Sequence, residues 1–195
     1  EKTAFMVRHT TGILCVAITS EHAHELRLPY MVEQNQDVRK TAFTVSVDAA
    51  SGITTGVSAL ERTRTINLLA ASDSHARDFI RPGHIFPLVA HEEGLAARGG
   101  HTEAGIALAQ LVGAKPAALL SEIVNDDGSM ASGTSLKDFA EAHHIKSITI
   151  EELTSYWQER YQPLQSKTDL NWSNVQLPEG PWQLATFPAL KARDH

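Results

Sequence analysis

Ile13-Leu14-Cys15-Val16-Ala17-Ile18-Thr19 is a β-rich apolar run that gives way to the polar stretch Ser20 to Leu28, and it predicts a buried strand. Working outward, Ala42 to Asp48 (AFTVSVD) sets Phe43, Val45 and Val47 on one face by period two, which predicts a second strand. After the turn signal Ser51-Gly52, Ser58 to Ala71 has helical spacing with Leu60, Leu68 and Leu69 apolar, and Ser58 and Glu61 stand at capping-box spacing. Ile85 to Ala90 and Ala117 to Val124 predict further strands. Glu103 to Val112 predicts a helix of small apolar residues closed by Gly113, and Asn125-Asp126-Asp127-Gly128 is a turn. Ser135 to His144 and Glu151 to Tyr161 predict the last helices, the second introduced by Thr149 at capping-box spacing from Glu152. The alternation predicts an α/β (α+β) fold, a mixed sheet flanked by helices. Beyond Gln162 the composition turns to Gln, Ser, Asn and Pro, which marks a linker over 162–176, with a strand at Gln183 to Phe187 belonging to a following unit.

The 195 residues, 42% hydrophobic and 21% charged, suit one principal domain with a sizeable core. A net charge of -6 without a Lys/Arg cluster excludes a nucleic-acid surface and leaves small molecules or proteins as partners. The single cysteine, Cys15, excludes an intrachain disulfide and a thiolate zinc site, which points to a reducing cytoplasm. No apolar run approaches the roughly 20 residues of a membrane span, and no signal peptide pattern opens the chain. The chain starts at Glu1, close to its first strand, so a fragment with an upstream piece missing is the expectation.

The chemistry centres on Arg98-Gly99-Gly100-His101-Thr102-Glu103. Two glycines before a helix let its first N–H groups approach an anion, Arg98 adds a fork suited to phosphate, and the Thr102 hydroxyl adds a donor. A tight left-handed turn with a solvated Arg and a capping Thr accounts for the same residues. His101 suits either a metal ligand or an acid/base, and a hard ion such as magnesium would require oxygen ligands beside it. Glu122, at the C-terminal end of an apolar strand, suits proton removal next to a carbonyl, or is an edge carboxylate in water. Arg81-Pro82-Gly83-His84 reads as a stiff loop presenting His84, either a proton shuttle or a structural histidine. Thr54 to Ser58 with Arg62 and Thr65 suits either a second polar cluster or a plain capping box. The pairs His22/His24 and His143/His144 read as solvated helix faces, and Cys15 as a small core residue.

Arg8 to Ile13, Thr54 to Ala59, Arg81 to Leu88, Arg98 to Glu103, and Glu122 with Asn125 to Gly128 together resemble, in order and spacing, the 3,4-dihydroxy-2-butanone 4-phosphate synthase family over residues 1–161. That resemblance implies a homodimer with sites near the subunit interface, Mg2+ or Mn2+ as cofactor, and conversion of D-ribulose 5-phosphate into L-3,4-dihydroxy-2-butanone 4-phosphate and formate in riboflavin biosynthesis. It implies substrate binding by Arg98, Gly99, Gly100, His101, Thr102 and Glu122, with Cys15 and Thr65 lining the site. It further implies His101 as metal ligand and His84 and Glu122 as catalytic residues. The family's N-terminal acidic loop, which supplies a carboxylate to the metal, is absent from this sequence, and Glu61 replaces the family's Asp. A non-catalytic dimerisation or regulatory domain of a fused cyclohydrolase is therefore the alternative reading. Residues 177–195 resemble the start of a GTP cyclohydrolase II domain, as in bifunctional riboflavin enzymes.

Overall fold

The structure is a computed structural model describing residues 1–165, 171–177 and 180–186, with side chains described through Arg160. Its elements are α1 (Lys2–His9), β1 (Leu14–Ile18), α2 (Ser20–Glu25), β2 (Val47–Ala49), α3 (Ala59–Ala70), β3 (Phe79–Val89), α4 (Gly94–Ala97), α5 (His101–Leu111), β4 (Ala117–Leu120), α6 (Thr134–Ala142), α7 (Ile150–Gln165), β5 (Asn171–Leu177) and β6 (Gly180–Thr186). Four strands form one sheet in the order β2-β3-β1-β4, and β5 pairs with β6 in a separate antiparallel hairpin. β1 runs parallel to β3 but antiparallel to β4, and β2 runs antiparallel to β3, so the sheet is mixed as expected.

β1 occupies the middle of this sheet because it is apolar on both faces. Leu14, Val16 and Ile18 turn to one side, where they pack with Ile85, Val89, Leu69 and Phe79 against α3 and α1. Ala17 turns to the other side, where Ala118, Leu120 and Ile106 of α5 cover it. The approach of α5 is close: a Cβ on Gly105 would stand 2.8 Å from the Cβ of Ala118. Outside α5, Leu95, Ala104, Ala107 and Leu153 join α4, α5 and α7 in a further apolar layer.

Several expectations change. Arg81-Pro82-Gly83-His84 lies inside β3 instead of in a loop before it, because the strand starts at Phe79 and the register with β2 slips between Val47 and Asp48. In the stretch Ala42 to Asp48 only Val47–Ala49 is regular strand, while Phe43 and Thr44 make isolated bridges to Leu88 and Tyr30. Of Phe43, Val45 and Val47 only Val47 is buried, and Thr44 and Asp48 are buried with it, the Thr44 hydroxyl donating to Pro87 O. On α3 the core contact comes from Leu69, and Leu60 is 81% exposed. α7 continues to Gln165 and backbone strands occupy 171–177 and 180–186, where a linker and a strand at Gln183 to Phe187 were expected. The rest of the cyclohydrolase-like stretch, 178–179 and 187–195, lies outside the described residues.

Candidate active site

Glu103, in the first turn of α5, is fully buried, and its carboxylate is divided between two donors. Oε1 accepts the His91 backbone N–H at 2.9 Å and Oε2 accepts Arg98 Nη1 at 2.7 Å. Arg98 Nη2 also donates to Arg39 O at 3.2 Å. Arg98 is therefore not the free fork that the sequence suggests but a guanidinium anchored at one corner, its side chain 30% exposed. Glycine at position 100 is required by this pair, since a Cβ there would stand 2.7 Å from Arg98 Nη1. Neither Gly99 nor Gly100 has positive φ, so the left-handed turn is excluded and close approach is what the glycines serve. No side chain caps α5, which leaves its first turn of N–H groups beside an arginine. His101 is the first residue of that helix and is exposed, while Thr102 is buried. A cleft of about 490 Å³ opens here, at the C-terminal ends of β1 and β3, with Arg98, Glu103, His91, Ser20 and Lys40 in its wall.

A second group gathers at the opposite end of β1. Cys15 pairs with Leu120 on β4 and with Phe86 on β3, and Glu122 lies two residues past Leu120, its carbonyl accepting Thr11 N–H at 2.9 Å. Glu122 is exposed instead of entering a buried pocket. Burial, with the Glu122 charge adding to it, pushes the Cys15 thiol up to about 11, so near neutral pH this cysteine is protonated and not a nucleophile.

His84 is gripped by Asp48, a residue that the sequence reading passed over as the end of a strand. Asp48 Oδ2 stands 2.6 Å from His84 Nδ1 and Oδ1 accepts the His84 backbone N–H at 3.0 Å. The Asp48 side chain is only 4% exposed and that of His84 is 44% exposed. Asp48 and Glu103 both carry a weak signal in the sequence, an acid within an otherwise apolar or small-residue run. Their partners 36 and 12 residues away in sequence are what give them a role.

Several remaining polar residues make internal contacts. Thr65 is fully buried: its Oγ1 accepts Ala49 N–H at 2.9 Å and contacts Glu61 O, so it ties α3 to β2. Arg62 spends its guanidinium on Val57 O and Gly12 O. Glu61 closes the capping box with Ser58 and also accepts from Thr54, which holds its carboxyl down to about 2. His22 points inward, with Nε2 2.9 Å from Leu69 O, off the solvated face expected of it, whereas His143 is exposed as expected and its ring meets those of Phe5, His9 and Phe139.

The Arg98 corner and the Asp48–His84 pair are far apart within one chain: five residues of extended backbone, at about 3.3 Å each, set Val89, at the strand end beside that corner, roughly 16 Å from His84. Arg98 is held beside His91 through the Glu103 carboxylate, so His84 and Arg98 of one chain do not face a single small ligand.

The fold and these groups define a mixed α/β scaffold with an uncapped helix start beside an anchored arginine and a carboxylate-held imidazole on a central strand. The family model of 3,4-dihydroxy-2-butanone 4-phosphate synthase matches residues 1–156, and the chain belongs to that family. It is 52% identical over 156 residues to the riboflavin biosynthesis protein RibBA of Chlamydia muridarum, covering 80% of this chain and 37% of that protein. It is 49% identical over 156 residues to the 3,4-dihydroxy-2-butanone 4-phosphate synthase of Proteus mirabilis, covering 80% and 72%. A crystal structure of a 3,4-dihydroxy-2-butanone 4-phosphate synthase in complex with two magnesium ions superposes with a TM-score of 0.79 at 43% identity, covering 82% of this chain and 79% of that one. The chain thus spans little more than a third of the RibBA relative's length.

Proposed function

We propose that this chain is the part of a riboflavin-biosynthesis enzyme that converts D-ribulose 5-phosphate into L-3,4-dihydroxy-2-butanone 4-phosphate and formate. The observation that carries this reading is the uncapped start of α5 beside the anchored Arg98, a seat for a phosphate. Arg98, Gly99, Gly100, His101 and Thr102 hold the phosphorylated end, which supplies binding energy remote from the reacting carbons. Glu122, exposed at the sheet end beside Cys15, removes a proton next to the substrate carbonyl. His84 moves a second proton in a site belonging to a partner subunit, because the roughly 16 Å between His84 and Val89, at the strand end beside the Arg98 corner, exceeds the length of a five-carbon sugar phosphate. A homodimer with its sites near the subunit interface meets this requirement. Following the resemblance, residues 177–195 open a cyclohydrolase-like unit, and the single Cys15 supports a cytoplasmic setting.

The proposed cofactor is Mg2+ or Mn2+, with His101 as its ligand. The residues described do not by themselves fit a hard divalent ion, because they contain no group of three His, Cys, Asp or Glu side chains placed to hold one. His101 would supply one nitrogen, and substrate oxygens would have to stand beside it as the hard donors that such an ion requires. The test is release of formate and of the butanone phosphate from ribulose 5-phosphate with magnesium, measured on the 195-residue chain and on one extended upstream. Turnover by the extended chain supports the reading, and none by it overturns the reading.

A further inference from the structure

We propose that Lys40 is a further phosphate-binding residue, the side chain that holds the phosphorylated end of the substrate in the cleft beside Arg98. The cleft wall carries Lys40, Arg98 and Glu103, together with Glu92 and Glu93. Arg98 Nη1 meets the buried Glu103 carboxylate at 2.7 Å, so the charge of that arginine is already matched inside the protein. Glu92 Oε1 accepts Ser20 Oγ at 3.3 Å. Lys40 is exposed and has no carboxylate partner among the described residues. One of its three ammonium N–H groups donates to Asn35 O at 2.6 Å. Two N–H groups and an unmatched positive charge are left for an anion.

The backbone at Lys40 is strained and held in place. Its φ is +53°, in the left-handed region that suits glycine or asparagine better than lysine. Asp37 fixes this conformation from one side: its carbonyl accepts the Lys40 N–H at 3.0 Å and its Oδ2 accepts the Thr41 N–H at 2.9 Å. Asn35 closes the turn, its Oδ1 accepting the Asp37 N–H at 2.9 Å and its Nδ2 donating to Thr41 O at 2.9 Å. The same turn brings Arg39 O to within 3.2 Å of Arg98 Nη2, so Lys40 directly follows the contact that seats the arginine. Strain kept by a network of this kind, at the wall of a cleft, is characteristic of a ligand clamp.

Resting on the function proposed above, Lys40 and the Arg98 N–H groups not taken by Glu103 and Arg39 grip the phosphate between them. Charge-assisted donors from both sides make the site favour a phosphorylated sugar over a neutral one. The contact is made equally in the bound substrate and in its transition state, so it lowers KM and leaves kcat unchanged.

The variants Lys40→Asn and Lys40→Gly remove the charge and relieve the backbone together. In the full-length protein with magnesium and ribulose 5-phosphate, KM is expected to rise about 10–100-fold in both with kcat little changed. Binding of inorganic phosphate, measured by calorimetric titration, is expected to weaken in the same proportion. Tm is expected to stay level or rise, because the replacements suit the left-handed conformation, whereas a merely structural Lys40 would lower Tm on losing its bond to Asn35 O. Lys40→Arg is expected to restore most of KM, and Lys137→Asn, a change of an exposed lysine on α6, to leave it at the wild-type value. A wild-type KM in Lys40→Asn, or a rise in KM that Lys40→Arg shares in full, overturns the proposal. If the wild type releases no formate, the functional reading fails while the phosphate titration still decides the role of Lys40: equal binding by wild type and Lys40→Asn, or none by wild type, overturns it.

Discussion

Glu103→Gln removes one negative charge from a place with no access to water and changes almost nothing in volume. The carboxylate satisfies two donors, His91 N–H on Oε1 and Arg98 Nη1 on Oε2. An amide offers one acceptor. With its oxygen toward His91, its NH2 faces the guanidinium, and with the amide reversed it faces the His91 N–H, so either way two donors oppose each other inside the protein. Removing one partner of a buried ion pair costs about 3–5 kcal/mol, and a hydrogen bond to a charged group is worth about 1.5–3 kcal/mol. Because the Arg98 side chain is 30% exposed and water can take up part of its charge, the lower end applies, about 3 kcal/mol. For a domain of this size that is a fall in Tm of about 6–12 °C. Thermal unfolding followed by circular dichroism at constant pH measures it. The companion Glu103→Met with Arg98→Met removes both charges together and is expected to recover most of the loss, since an apolar pair avoids the uncompensated charge. A shift of Tm in Glu103→Gln no larger than in a surface control, or a double variant less stable than Glu103→Gln, would refute this account of the corner.

Glu61, held down to about 2 by donors from Thr54 and Ser58, has a folded-state value below its ordinary 4.5. Its contribution to stability is thus complete above about pH 4.5 and is lost as pH falls toward 2. Wild type is expected to lose stability relative to Glu61→Gln across that window and not above it, as read from urea midpoints at a series of pH values. Cys15, with its thiol pushed up to about 11, is expected to be thiolate in only about one molecule in a thousand at pH 8. Its alkylation by iodoacetamide should keep rising through pH 10, and a rate that levels off near pH 8.5 would contradict the burial seen here.

The reach of sequence reasoning varies with the distance over which each feature is decided. The central strand β1 was legible because it is apolar on both faces, a property carried by consecutive residues. The capping box of α3 was legible because Ser58 and Glu61 meet within one helical turn. β3 was only half legible, since Pro82 and Gly83 mark a loop in any local reading, while β2 pairs across the bulge and keeps the segment in the sheet. α1 carries no local signal, and the polar composition after Gln162 predicts a linker where the backbone is helical to Gln165.

By itself, the sequence determined the alternation of strands and helices, the helix start at Gly99-Gly100, and which residue types were on hand for chemistry, because these depend on neighbours a few positions apart. The tertiary structure alone decided that Arg98 is anchored by Glu103, that Thr65 is buried between α3 and β2, that His84 is held by Asp48, and that His84 stands roughly 16 Å along β3 from Val89 at the Arg98 corner. Each of these depends on which face a strand presents and where its register slips, and pairing with distant segments sets both.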